Sequence, residues 1–244
     1  MQSGTQSKFI LTLDPKRLAI IFSLLILILT HAHVAGQFAH FFFGVDDSKL
    51  VDAFNLDYER SIPTFFVVVE WLFCLVLLGF IAYYRKMEHM QYAHWLGMVI
   101  LFFFLTMDEF LAIHESFSKP IRLALNTSGL FYFAWVLLYA GLLIILLFVY
   151  LKFMISLPVK TRSLFICAFL VFILGALGME LLTGGYLMSH ARNKAYYIVF
   201  VTNEEFLEMT GLMIFIYSLS SYITEELGVS QIQLLPFKFG SSSE

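Results

Sequence analysis

The chain alternates long apolar runs with short polar connectors, and the runs are of a length that crosses hydrocarbon. A bilayer core of about 30 Å needs roughly 20 helical residues, and six segments meet that length, at about 18–43, 62–84, 95–116, 129–151, 163–186 and 196–222. The pattern predicts an all-α polytopic membrane protein: a single transmembrane domain over 1–244, a bundle of six transmembrane helices, and a short tail at 223–244. An even number of spans puts both termini on one side. Lys8, Lys16, Arg17, Arg85, Lys86, Lys152, Lys160, Arg162 and Lys238 fall on the terminal side, against Lys49, Arg60, Lys119, Arg122, Arg192 and Lys194 on the other. This excess predicts cytoplasmic termini. Lys16 and Arg17 before the first run also suit a signal peptide, but a small-residue cleavage site is poorly formed around His31–Gly36 and apolar character resumes at Phe38–Phe43. The first run is therefore read as a retained helix.

Composition agrees, since 60% of residues are hydrophobic and 14% are charged. A net charge of −3 without a basic tract gives no footprint for nucleic acid. Cys74 and Cys167 lie in different apolar runs and read as small core residues, not a disulfide or metal pair.

Chemistry enters with the acids. Asp108, Glu109, Glu115, Glu180, Glu204, Glu205 and Glu208 sit within or at the ends of apolar runs, where a charge costs about 2.5–3.5 kcal/mol at a helix centre. The predicted topology brings them to one depth in the outer half of the bundle, together with His114. Glu70 and the histidines His31, His33 and His40 reach the same level. At about 100° per residue, Asp108 and Glu115 share one stripe of a continuous third helix, with Glu109 and His114 flanking it. Glu204, Glu205 and Glu208 form one acidic face of the sixth helix. The fourth helix, apolar apart from hydroxyls such as Tyr132 and Tyr139, reads as a supporting wall. Gly175, Gly178, Gly184 and Gly185 allow the fifth helix a close neighbour.

Such a set resembles in kind the inward glutamates and histidines of di-iron carboxylate bundles, although the Glu-x-x-His pairs of that pattern are missing. The expected metal ligands are Asp108, Glu115, Glu180, Glu204, Glu205 and Glu208, with His114 and Glu109 as catalytic groups and Glu70 and His40 in support. Oxygen-rich donors favour iron or manganese, with zinc a further candidate. Walker loops, nucleophile elbows and the His-Glu-x-x-His motif are absent.

Phe54-Asn55-Leu56-Asp57-Tyr58-Glu59-Arg60-Ser61-Ile62-Pro63-Thr64, Asp108-Glu109 with His114-Glu115, and Glu204-Glu205 with Glu208-Met209-Thr210-Gly211 together resemble a recurring set in an uncharacterised family of six-helix bacterial inner-membrane proteins. The resemblance brings no activity with it. It implies an inner-membrane location and a loop before Pro63 that belongs with the site, where Asp57 and Glu59 close its mouth or cap the helix begun by Ser61 and Pro63. The function expected is a metal-dependent membrane enzyme, an oxidoreductase or hydrolase acting on a lipid or other apolar substrate. The alternatives are a cation- or proton-coupled transporter or channel using the same carboxylates, and a structural subunit of a membrane assembly. Apolar inner halves of the helices favour a site over a conduction path.

Overall fold

A computed structural model describes residues 9–44, 49–58, 60–189 and 194–234. Lys8, Asp46, Asp47, Glu59, Arg192 and Lys238 lie outside the described residues. Among those described, six helical stretches are long and apolar enough to cross a membrane: Pro15–Phe43, Ile62–Met87, Ala93–Leu111, Trp135–Ser156, Val159–Leu187 and Ala195–Glu226.

Local signals in the sequence set the starts of the first two. In α1 (Pro15–Phe43) the Asp14 carboxylate accepts from the Lys16 and Arg17 amides at 3.1 and 3.2 Å, and Pro15 has no N–H that would need an acceptor. Gly44 closes the helix at φ 58°, a left-handed position that suits glycine. After the short α2 (Lys49–Ala53), α3 (Ile62–Met87) begins at Ser61, whose hydroxyl accepts from the Thr64 amide at 3.2 Å, and Pro63 lies in its first turn. This is the helix start that Ser61 and Pro63 predict.

The third apolar run departs from expectation. Instead of one helix to residue 116, α4 (Ala93–Leu111) stops at Ala112, which takes φ 47°, and a separate α5 (Ile113–Leu125) follows. A turn at Gly129–Phe131 leads to α6 (Trp135–Ser156), which begins several residues later than the apolar run suggests. The next span is α7 (Val159–Ile173), a π-helical turn at Leu174–Met179, and α8 (Glu180–Ser189). The last helix is α9 (Lys194–Ser221), which ends in a second π turn, Tyr222–Glu226.

Among the described residues the fold is helical apart from one addition. Strand β1 (Phe9–Thr12) pairs antiparallel with β2 (Gln231–Leu234), so the two ends of the described chain meet at one end of the bundle. Arg85 strengthens the same end by donating to the Tyr222 hydroxyl at 2.6 Å.

Helix α9 occupies the centre, packed against α7, α3 and α1, while α3 also packs along α4. Met209, Leu212, Ile216 and Leu219 of α9 are buried with Trp71, Leu78 and Ile81 of α3. Helix α6 makes its main backbone approach to α5 and joins this core near its far end, where Phe153 is buried against Trp95. Its outward side chains, such as Ile144, Ile145 and Phe148, are exposed and apolar, as a lipid-facing surface requires. Cys74 is buried; Cys167, read from the sequence as a core residue, is exposed on the apolar surface, and both are free.

The close approach of α9 depends on Gly175. A Cβ placed there would lie 2.8 Å from the Glu204 carbonyl oxygen and 3.0 Å from the Glu208 amide nitrogen, so backbone would have to move. Gly175→Ala is expected to destabilise the fold by about 1 kcal/mol net, because an overpacking cost of about 1–3 kcal/mol exceeds the gain in helix propensity. Denaturation of the variant in detergent measures this. A midpoint equal to or above wild type would show that α9 has room to retreat.

Candidate functional site

A cavity of about 660 Å³ opens between α6 and the helices α4, α7 and α9, within the size range of small-molecule sites. Its walls include every one of the seven acids picked out by depth, Asp108, Glu109, Glu115, Glu180, Glu204, Glu205 and Glu208, together with His114. Asp57, from the loop before α3 that is expected to belong with the site, lines it as well.

The α4–α5 corner is the most ordered part of this polar wall. Chain reversal at Ala112 brings His114 back over the end of α4, where Asp108 Oδ1 accepts from the His114 amide at 2.9 Å and Asp108 Oδ2 lies 3.1 Å from its Nδ1. The carboxylate thereby caps the first turn of α5, a place where negative charge is favoured. The Tyr139 hydroxyl of α6 donates to the same Oδ1 at 2.7 Å. Burial pulls the His114 pKa down, but the hydrogen bond and charge of Asp108, with the charges of Glu109 and Glu115, raise it overall. The imidazole is thus held as a protonatable group facing the cavity.

Trp135 joins this corner to the next acid. Its indole packs against the His114 ring at 4.7 Å between centroids, and its N–H donates to Glu180 Oε1 at 2.9 Å. Glu180 and Glu204 interact with each other across the contact between α8 and α9. The π turn immediately before Glu180 adds about one residue to a helical turn and so turns α8 by about 100° relative to α7. Gly175, in the same turn, lets Glu204 and Glu208 approach from α9. Tyr197 donates to Asp57 at 2.8 Å, tying the loop before α3 to the start of α9. Burial raises the Asp57 pKa, the Tyr197 bond opposes this, and the Glu115 charge adds to it.

Several sequence expectations are corrected here. Asp108 and Glu115 do not share a stripe, because the helix breaks between them, and Asp108 is engaged by three donors in place of standing free as a ligand. His114 and Glu109 do not flank that stripe; His114 folds onto Asp108 itself. Helix α6 is not a passive wall, since it supplies Trp135 and Tyr139. Glu70 and His40 are not among the cavity-lining residues: Glu70 is fully buried on α3 and the His40 ring meets Phe41. His33 is buried and its Nδ1 accepts the Leu56 amide, a role in holding the loop before α3. Among the described residues no group of three or more His, Cys, Asp or Glu is disposed to hold a metal ion.

Trp135, Tyr139 and Tyr197 are the functional candidates that depth and charge did not reveal. The available signal was the Trp-x-x-x-Tyr spacing at the outer end of an otherwise aliphatic helix, which places two polar aromatic groups on one face.

Among known proteins, the model of a family described as Domain of unknown function (DUF8692) matches residues 19–223. No curated protein and no solved structure matches the chain.

Proposed function

The chain belongs to the DUF8692 family, a domain of unknown function, and from its own residues we propose that it is an integral membrane enzyme acting on a lipid or other apolar substrate. In this reading the six apolar helices cross a bacterial inner membrane with both termini cytoplasmic, and the acidic end of the cavity lies in the outer half. One observation carries the proposal: a single cavity joins eight carboxylates and His114 to an apolar crevice lined by Leu143, Leu146, Met154 and Phe169. Polar groups converging on one end of an apolar pocket are the common form of a substrate site. His114, oriented by Asp108, serves as the proton carrier, and Glu109 is the neighbouring acid or base. The crevice holds the substrate's chain.

Mass spectrometry of lipids extracted from detergent-purified protein tests this. One class of long-chain molecule is expected to be enriched over the bulk membrane extract and lost from Leu146→Trp, which fills the crevice. A lipid profile matching the bulk membrane in both proteins would overturn the reading.

A divalent metal, iron or manganese before zinc, forms a second reading: Glu205, Glu109 and Glu204 act electrostatically on Glu208, although the described side chains do not converge as a ligand set. A cation drawing these side chains together would offset their repulsion. Elemental analysis of chelator-free protein and Glu208→Gln decides it: near-stoichiometric metal lost in the variant supports the metal, and none in either leaves the acids to protons.

A further inference from the structure

The cavity is closed more firmly on one flank than on the other. On the α4 flank its lining residues Met98, Leu101, Phe102 and Leu105 are buried or partly buried, and side chains tie α6 to α4 near both ends. Tyr139 donates to Asp108 at one end; at the other, the Tyr150 hydroxyl donates to the His94 carbonyl at 3.3 Å and Phe153 packs on Trp95.

The α7 flank is tied only at its extremes. Trp135 bonds α6 to Glu180 of α8, and the Arg162 side chain donates to the Ile155 carbonyl at 3.1 Å beside the connector Leu157-Pro158. Between these points, among the described residues, no hydrogen bond or ring contact joins α6 to α7, and close backbone approach between the two helices is sparse.

Four side chains mark the edges of this seam. Leu147 and Leu151 of α6 and Ile166 and Leu170 of α7 all line the cavity, yet they are 45–60% exposed. A residue that faces an interior space and the outside together stands on a rim. Each pair is four residues apart and so forms a ridge along its helix. At about 100° per residue, Leu147 and Leu151 lie roughly 120° and 160° around α6 from Phe153, which places them away from the seam that Phe153 seals against α4.

Depth and chemistry say what can pass. Counted from the helix ends at Ser156 and Val159, the four residues stand roughly 7–17 Å along their helices at 1.5 Å per residue, which is inside a hydrocarbon core of about 30 Å. All four are aliphatic, so a hydrated molecule crossing here would shed its water without a polar group in return, whereas a hydrocarbon chain exchanges one apolar surround for another.

We propose that the cavity is loaded sideways from the bilayer, through a slit between α6 and α7 with Leu147, Leu151, Ile166 and Leu170 as its lips, and that the group entering is the acyl chain of a membrane lipid. The proposal rests on the reading of the cavity as an apolar substrate site and narrows that substrate to a molecule resident in the membrane.

Proteoliposomes of the full-length protein are fused with vesicles containing a phospholipid that carries a diazirine midway along one acyl chain. Samples are irradiated at intervals and digested, and mass spectrometry of the peptides reads label on Leu146 and Phe169, which line the cavity and are partly buried. Label on the lips, which face bulk lipid, reports delivery of the probe. Leu147→Trp combined with Leu170→Trp crowds the slit and is expected to slow the appearance of interior label, relative to lip label, by about tenfold, or about 1.4 kcal/mol on the entry barrier. Ile144→Trp combined with Phe148→Trp adds the same bulk at exposed positions of α6 that do not line the cavity and is expected to leave the rate unchanged. An unchanged rate in the lip variant, or equal slowing in both variants, would overturn the slit and leave the cavity reading standing. Wild-type protein labelled on its lips but never on Leu146 or Phe169 would overturn the cavity reading, and the slit with it.

Discussion

Asp108→Ala is expected to lower the stability of the protein by about 2–3 kcal/mol, on the scale of hydrogen bonds to charged groups. The carboxylate receives the His114 amide, the His114 ring and the Tyr139 hydroxyl, and it is 6% exposed. Removing it strands three donors at once, in surroundings where water cannot replace the acceptor for all of them. Membrane side-chain hydrogen bonds average only about 0.6 kcal/mol each, so the expected value leans on two further features. One is the charge of the acceptor. The other is its place at the first turn of α5, where loss of a cap alone costs about 1 kcal/mol. Chemical denaturation in detergent measures the difference. A change below about 0.5 kcal/mol, the usual range for surface substitutions, would show that the α4–α5 corner is held by something other than Asp108.

Asp108→Asn separates charge from shape and gives the sign of a pH effect. In the folded protein the His114 pKa is raised by its carboxylate neighbours in spite of burial. Protonation of His114 therefore stabilises the fold; that contribution is complete below the ordinary histidine value of about 6.5 and is lost as pH rises through the raised one. The Asn variant keeps an acceptor for the His114 amide and the Tyr139 hydroxyl but removes the largest favourable charge. Wild-type stability is expected to fall as pH rises above the ordinary histidine value of about 6.5, and the variant is expected to show a smaller fall over the same range. An equal fall in both would place the pH dependence elsewhere, with Asp57 the first alternative, since burial raises its pKa.

The membrane-spanning runs were legible because hydrocarbon thickness imposes one length on every helix that crosses it. The gathering of acids was legible for a related reason: helices of fixed length and alternating direction put residues with the same distance from a helix end at the same depth. Orientation within that depth was not. It was read from a straight helix through residue 116, whereas Ala112 adopts a left-handed backbone that no preceding glycine or proline announces. Asp108 supplies the compensation for that turn by capping α5, and a cap made from six residues upstream has no signature in local sequence. The π turn before Glu180 is hidden in the same way, because Gly175 and Gly178 read as packing positions and do not reveal an added residue in the turn. The parts played by Trp135 and Tyr139 depend on a partner helix, and periodicity within one segment cannot show which of its faces meets an acid on another.

Glu70→Leu is expected to stabilise the fold, by about 1–3 kcal/mol, the cost of burying a polar group without a hydrogen bond. Glu70 is 0% exposed, neither carboxyl oxygen has a partner among the described residues, and its buried neighbours along α3 include Val67, Val68, Trp71 and Cys74. Whether charged or neutral, it leaves polar atoms unpaired; leucine fills nearly the same space and has none. Glu70→Gln keeps the polar burden and is expected to change stability little. Denaturation of both variants in detergent gives the comparison, and a destabilised Glu70→Leu would show that the carboxyl has a partner in the working protein. A residue that weakens its own fold is most often found where function needs it, and Glu70 precedes Trp71, which lines the cavity with an unpaired indole N–H. Substrate retention by the stabilised Glu70→Leu protein is therefore the discriminating measurement. Retention equal to wild type would make Glu70 a packing defect carried at a cost, whereas loss of the bound chain in a more stable protein would assign the carboxyl to the ligand side of α3.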